Sequence, residues 1–154
     1  MIIIGYQGIG KSTIAKGNPN IIDLESKCFW FNDERPEDWY VYYCQIAEDL
    51  SKQGYTVFVS SHAPVRQFLS EFCTEPYAAI VPATYLKDDW IKKLHHRYQN
   101  TKSEKDYKAW KNAEARFAEN VQEICEDIEN YYVIQKMDYS LNKALDILQS
   151  TLDN

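Results

Sequence analysis

Paired cysteines are missing from this chain. Cys28, Cys44, Cys73 and Cys125 show no C-x-x-C spacing, so free, mostly buried thiols in a reducing compartment are expected. Histidine is scarce too. His62, His95 and His96 have no finger spacing, which argues against a structural zinc site. No apolar run is long enough to cross a bilayer and no signal peptide precedes the first motif, so a cytoplasmic protein is expected. An excess of positive charge is also absent. The net charge of −6 argues against gripping a nucleic-acid backbone. It leaves small phosphorylated ligands open, because these answer to local charge. No repeat, low-complexity stretch or linker divides the chain, and one domain over residues 1–154 is expected.

What is present begins at Gly5. Gly5-Tyr6-Gln7-Gly8-Ile9-Gly10-Lys11-Ser12 reads G-x-x-x-x-G-K-S. Met1-Ile2-Ile3-Ile4 runs into it as a buried parallel strand, and Ser12 to Lys16 leads out as a short helix. Strand, glycine loop and helix are the context this pattern needs in order to bind phosphate. Glycine lets the backbone approach a phosphate that a Cβ would block. The amides of Gly8, Ile9, Gly10 and Lys11 are expected to form an anion nest at a helix N-terminus. Gln7 and Thr13 flank that nest. Lys11 is expected to reach the β- and γ-phosphates of ATP, and the Ser12 hydroxyl to ligate Mg²⁺.

A breaker cluster, Gly17 to Asn20, separates the first helix from a second strand at Ile21 to Leu24. Ligands in parallel α/β sheets sit at the carboxyl ends of strands, which places Asp23 and Glu25 beside the glycine loop. Two carboxylates there can orient or deprotonate an acceptor hydroxyl, or hold Mg²⁺ through water; a solvated turn or a helix cap is the plainer alternative. Cys28-Phe29-Trp30-Phe31 offers rings for stacking a base or for packing under the next helix. That helix starts near Pro36, with Trp39, Tyr43, Ile46 and Leu50 as its core stripe.

Tyr55 to Ser60 reads as a central third strand, followed by Ser61-His62 and a helix with Val65, Phe68, Leu69 and Phe72 on its buried face. Arg66 falls in its first turn, either clamping an acceptor anion or solvated at the surface. His62 is either a ligand contact or an ordinary loop histidine. Ala78 to Pro82 is the fourth strand. Leu86 to Tyr98 reads as a helix with Leu86, Trp90, Leu94 and Tyr98 inward, and His95 and His96 outward. Arg97 and Lys93 lie in or beside that stripe; the Arg97 guanidinium needs a charged partner there, while the Lys93 stem can instead snorkel to the surface. The partner is either a structural carboxylate, with Glu114 the natural candidate, or a transferring phosphoryl group. Gln99 to Lys105 is polar and is expected to be mobile. Glu104 to Ile128 is the longest helix, with Tyr107, Trp110, Glu114, Phe117, Val121, Ile124 and Ile128 on one seam. Tyr131 to Gln135 is the fifth strand, and Ser140 caps a last helix.

With its Walker A loop at Gly5 to Ser12, Asp23 after strand two, Arg66 after strand three and Arg97 ahead of the long helix, the chain resembles the nucleoside monophosphate kinase-like superfamily. Gluconate- and shikimate-type kinases belong to the same group, and the style is similar to small phage-encoded nucleotide kinases. The resemblance implies a three-layer P-loop NTPase fold: an α/β architecture with five parallel strands ordered 2-3-1-4-5, helices on both faces and a helical lid at about residues 85–105. Gln135 to Asp138 would approach the nucleotide base. Strand three ends in Ser60-Ser61-His62 where that family carries Asp-Gly-x-Pro-Arg, with Pro64 and Arg66 as a partial echo, and the lid offers one arginine rather than several.

The function so implied is an ATP- and Mg²⁺-dependent transfer of the γ-phosphoryl group to a nucleoside or deoxynucleoside monophosphate. Lys11, Arg97 and Asp23 would be catalytic. Gln7, Gly8, Ile9, Gly10, Lys11, Ser12 and Thr13 would bind ATP, with Ser12 on the metal. Asp23, Glu25 and Arg66 would hold the acceptor. Two alternatives stay open: a kinase of a sugar or acid hydroxyl, and a non-catalytic ATP-binding module that works through a protein partner. No nucleic acid or membrane is expected as a main ligand, and monomer or homodimer is not decided by the sequence.

Overall fold

Three β-branched residues in a row make the middle of the molecule. Ile2, Ile3 and Ile4 lie fully buried in β1 (Ile2–Gly5), as suits a strand covered on both faces. β1 pairs in parallel with β3 (Thr56–Val59) on one side and β4 (Tyr77–Pro82) on the other. β2 (Ile21–Asp23) lies outside β3, and β5 (Tyr131–Ile134) outside β4. The sheet is therefore five-stranded and all parallel, in the order β2-β3-β1-β4-β5, which is the expected order. The computed structural model describes residues 1–26 and 34–154. The Cys28–Phe31 segment lies outside the described residues.

Six helices accompany the sheet among the described residues: α1 (Lys11–Lys16), α2 (Trp39–Lys52), α3 (Ala63–Phe72), α4 (Lys87–Thr101), α5 (Glu104–Asp127) and α6 (Leu141–Asp153). α2 packs on α3, α3 on α5, and α6 on β4 and β5. A 3-10 turn, Thr84–Leu86, leads into α4. Ser103 caps α5 and Ser140 caps α6, each hydroxyl accepting a hydrogen bond from the amide three residues on, at 3.1 and 3.2 Å. Among the described residues no helix is long and apolar enough to cross a membrane.

The chain leaves β1 toward β2 on one side of the sheet and later reaches β4 on the other. The crevice at the carboxyl end of β1 is thus the place where strand order reverses, the usual seat of a ligand in an open parallel sheet. Gly5 and the glycine loop stand there.

Several details depart from expectation. The polar stretch Gln99 to Lys105 is mostly helix: α4 continues to Thr101, and only Lys102 and Ser103 separate it from α5. α4 and α5 therefore form a packed hairpin. Ile46 and Phe72 face outward, at 40% and 59% exposure. Trp39 and Tyr43 in α2 and Val65 and Leu69 in α3 are buried as expected, and Cys44, Ala47 and Ser51 join the first pair and Arg66 the second. In α5 the buried seam is Asp106, Ala109, Ala113, Phe117, Val121 and Ile124, with Tyr107 exposed. His95 is not on a free outer face; its ring stacks on Trp110 at 4.1 Å.

Candidate functional site

The glycine loop leaves β1 with Tyr6 hydrogen-bonded to the sheet, its amide donating to the Ile80 carbonyl at 3.0 Å. The Tyr6 ring is buried edge-on between Trp90 and Phe117. Gly8 and Gly10 take φ values of 88° and 103°, the left-handed region that L side chains avoid. A Cβ on Gly8 would also stand 2.9 Å from Leu94 Cδ2. The loop then turns into α1. Among the described residues, the amides of Gly8, Gly10, Lys11 and Ser12 donate to no protein acceptor. Buried or half-buried N–H groups without an acceptor are uncommon in folded proteins. Gly8 is buried and Gly10 half-buried, while Lys11 and Ser12 open α1, whose first-turn amides have no partner within the helix.

Lys11 folds back over this turn, its Nζ 3.5 Å from the Gly5 carbonyl oxygen. Desolvation pushes its pKa below the ordinary lysine value, while Asp23 pulls the other way and Glu25 assists. Lys105 and Arg97 add positive charge around it and lower it further. Asp23, at the end of β2, is affected in the opposite sense. Burial raises its pKa, Lys11 and Lys105 lower it, and the neighbouring Glu25 raises it.

The ends of β2 and β3 are held together by Tyr43 of α2. Its hydroxyl donates to the Leu24 carbonyl at 2.7 Å and accepts the Ser60 amide at 2.8 Å. Next to it, His62 Nδ1 lies 2.9 Å from Ser60 Oγ, and its ring meets Trp39 edge-on. Its pKa is lowered by this crowded seat and by the charges of Arg35, Lys11 and Arg66.

Opposite stands the α4–α5 hairpin, which covers the segment expected as a lid. Arg97 Nε is 2.9 Å from Asp106 Oδ1. The buried Asp106 carboxylate also accepts Thr101 Oγ1 at 2.6 Å. Burial alone would raise the Asp106 pKa, but the Thr101 hydrogen bond, the Arg97 charge and Ser103 together hold it below the usual range. Asp106 thus fills the place expected for Glu114, which instead pairs with Lys111 at 3.0 Å. Lys105, at the start of α5, reaches across to both oxygens of Glu25 at 3.0 and 3.1 Å. Lys93 pairs with no carboxylate among the described residues. Its Nζ donates to Tyr139 Oη at 2.9 Å and lies over the Trp90 and Tyr139 rings. Burial and the nearby Arg97 bring its pKa down to about 8.

The structure thus gathers Lys11, Asp23, Glu25 and Arg97 around the glycine loop. Arg66 has a different setting. It is 6% exposed, its Nε is 2.9 Å from Asp127 Oδ2, its Nη2 is 3.7 Å from Glu123, and Nη1 donates to the Ser61 carbonyl. Its fork joins α3 to the end of α5, so it is neither a solvated arginine nor an uncommitted cation. Trp90, Tyr139, Lys105 and Asp106 belong to the site's surroundings and were missed in the sequence. The signals were there: a buried tryptophan N–H must find an acceptor, and Ser103-x-x-Asp106 has helix-start spacing. For Mg²⁺, no cluster of three or more His, Cys, Asp or Glu exists among the described residues. Exposed Ser12 is the second residue of α1, next to Lys11.

No family model matches the chain, and no curated protein matches it. Among solved structures it is similar to an uncharacterized protein from Eubacterium ventriosum ATCC 27560, with a TM-score of 0.50 and 15% identity. That likeness covers 99% of this chain and 97% of the other. At such identity the match speaks to the fold alone.

Proposed function

We propose that this chain is a P-loop phosphotransferase that moves the γ-phosphoryl group of ATP to a small acceptor. One observation carries the reading: the Lys11 ammonium and the unpaired amides of Gly8, Gly10, Lys11 and Ser12 sit on one turn at the sheet's reversal point. Such a turn is built to receive a polyphosphate. Lys11 supplies positive charge where the transferring phosphoryl group builds up negative charge, and Arg97, 38% exposed and paired with Asp106, adds to it on turning from that carboxylate to the phosphoryl group. Ser12 is the residue that would hold Mg²⁺, which when bound shields the phosphate oxygens. Asp23 orients the acceptor from the end of β2.

Nucleoside and deoxynucleoside monophosphates are the first acceptor class, following the resemblance of the sequence. A second class is favoured by a specific observation. Arg66, the cation expected to clamp an acceptor phosphate, is engaged by Asp127 and Glu123, while the carboxylates Asp23 and Glu25 stand at the mouth. An uncharged hydroxyl acceptor, with Asp23 as its base, fits that balance.

The test is ADP release from Mg-ATP against a panel of nucleoside monophosphates, sugars and hydroxy acids, with Lys11→Ala as the blank. Acceptor-dependent release lost in Lys11→Ala supports a kinase and names its substrate class. ATP binding with no release for any acceptor favours the non-catalytic module. A chain that binds no ATP, or a Lys11→Ala variant that works normally, overturns the proposal.

A further inference from the structure

Two carbonyls of the glycine loop are held from outside by side chains that have no part in the proposed phosphoryl transfer. Trp90 of α4 donates its indole N–H to the Gln7 carbonyl at 2.8 Å. Tyr139, in the loop after β5, donates its hydroxyl to the Ile9 carbonyl at 2.7 Å. The two donors form one unit. Their rings stack with centroids 6.0 Å apart and 21° between planes. Lys93 lies over both rings at 4.5 and 5.0 Å and donates to the Tyr139 oxygen at 2.9 Å. Trp90 is fully buried, so its N–H has no solvent alternative.

The direction of these bonds matters. An ammonium has donors only, so the Tyr139 oxygen accepts from Lys93 and its own proton is left for the Ile9 carbonyl. A donor whose oxygen accepts from a cation is polarised and donates more strongly. The peptide unit is planar and trans, so a carbonyl and the N–H of the next residue point in opposite directions. Holding the Gln7 carbonyl toward Trp90 turns the Gly8 N–H the other way. Holding the Ile9 carbonyl toward Tyr139 does the same for the Gly10 N–H. Those two amides are among the ones without a protein acceptor. Both residues are glycines with positive φ, the type most free to flip when nothing fixes the peptide plane.

We infer that Trp90 and Tyr139 are positioning residues for the polyphosphate: by fixing the Gln7 and Ile9 carbonyls, they aim the Gly8 and Gly10 amides at the bound anion. They touch no phosphate themselves. The effect is preorganisation, since donors already aimed lose no freedom when the anion arrives. The inference rests on the proposed nucleotide site and deepens it. It links α4 and the loop after β5 to phosphate affinity through two hydrogen bonds that no loop motif contains.

The probe is inorganic tripolyphosphate, titrated by calorimetry into the full chain, with Mg-ATP in parallel. Tyr139→Phe and Trp90→Phe each delete one donor and keep an aromatic ring. Each is expected to weaken tripolyphosphate binding by about three- to tenfold, the range of one hydrogen bond, and the double variant by more than either. A readout that a merely structural role would not move is the amide NMR signals of Gly8 and Gly10. In the wild type both should shift on adding tripolyphosphate. In Tyr139→Phe the Gly10 response should shrink first, and in Trp90→Phe that of Gly8. Leu148→Ala, a core change away from the loop, controls for lost stability and should leave affinity unchanged at a temperature where every variant is folded. If the wild type binds, Lys11→Ala does not, and both ring variants bind as the wild type does, the positioning inference is wrong and the nucleotide site survives. If the wild type binds neither tripolyphosphate nor ATP, or Lys11→Ala binds as well as the wild type, the nucleotide site falls and takes this inference with it.

Discussion

Replacing Gly8 by alanine should be the most damaging of three chemically identical changes. Gly8, Gly10 and Gly54 all have positive φ, at 88°, 103° and 100°. Each alanine therefore incurs a backbone strain of about 1–2 kcal/mol. Their surroundings differ. At Gly54 nothing lies within 4 Å of the new Cβ, and at Gly10 the Leu141 side chain is at an ordinary 3.8 Å. At Gly8 the Cβ meets Leu94 Cδ2 at 2.9 Å and Trp90 Nε1 at 3.3 Å. Both neighbours are fully buried, and Trp90 is held by its bond to the Gln7 carbonyl, so neither can move aside easily. Overpacking of this kind costs a further ~1–3 kcal/mol. Gly8→Ala should thus lose about 2–5 kcal/mol, and Gly10→Ala and Gly54→Ala about 1–2 kcal/mol each. Urea unfolding followed by circular dichroism and tryptophan fluorescence measures all three. Equal losses at the three sites would refute the claim that α4 is seated on the loop.

Lys11→Met should leave the ligand-free protein as stable as the wild type or more so, because it removes a cation that burial already disfavours, while nucleotide binding disappears; thermal unfolding with and without ATP shows both. Arg66→Ala should cost about 1–3 kcal/mol of stability, since a buried guanidinium is lost from half-exposed Asp127 and Glu123; an unchanged unfolding midpoint with a raised KM for the acceptor would reassign Arg66 to substrate. Lys93 has a folded pKa of about 8 against 10.5 for the free side chain. Between those values the unfolded chain binds more protons than the folded one, so this group makes stability rise with pH through that window. Lys93→Met should flatten the rise, and denaturation midpoints measured at about pH 7.5 and about pH 10, near the two ends of the window, compare the slopes of variant and wild type.

The sheet was legible because its strands are short runs of β-branched, aromatic or small apolar residues, with Gly5 and Pro82 closing two of them. Ile2 to Ile4, Thr56 to Val59 and Ala78 to Pro82 leave little else to be. The glycine loop was legible because its requirements are local: left-handed φ at Gly8 and Gly10, and a lysine on the next turn. The partners of the site's charges were not. Arg97 meets Asp106 and Lys105 meets Glu25, and the second of these pairs depends on how the α4–α5 hairpin is laid across the end of β2. Seven-residue arithmetic along one helix pointed to Glu114 and could not see the two-residue turn at Lys102 and Ser103 that brings Asp106 back to Arg97.

The helix faces fail in one consistent way, and the reason is physical. Taking 100° per residue, the observed buried face is rotated from the expected stripe by roughly 60° in α2 and α3 and by roughly 75° or more in the first half of α5. The rotation always goes toward small or specially partnered side chains: Cys44, Ala47 and Ser51 in α2, Arg66 in α3, and Asp106, Ala109 and Ala113 in α5. Close approach of two elements needs short side chains at the contact, and the large ones move to its flanks. In α5 the large rings still make contact, Trp110 stacking on His95 and Tyr98 and Tyr107 meeting Tyr98 edge-on, on the flank of the buried alanines. A stripe drawn through the bulkiest residues therefore overlaps the buried face without marking its centre. Ala113→Leu tests the point. Ala113 is fully buried, so the larger side chain should destabilise by ~1–3 kcal/mol despite its greater hydrophobicity. Had the buried face of α5 been centred on Tyr107 and Glu114, the same change would add apolar surface at its edge and cost little, and an unchanged or higher urea midpoint would show that the alanines are not at the centre of that face.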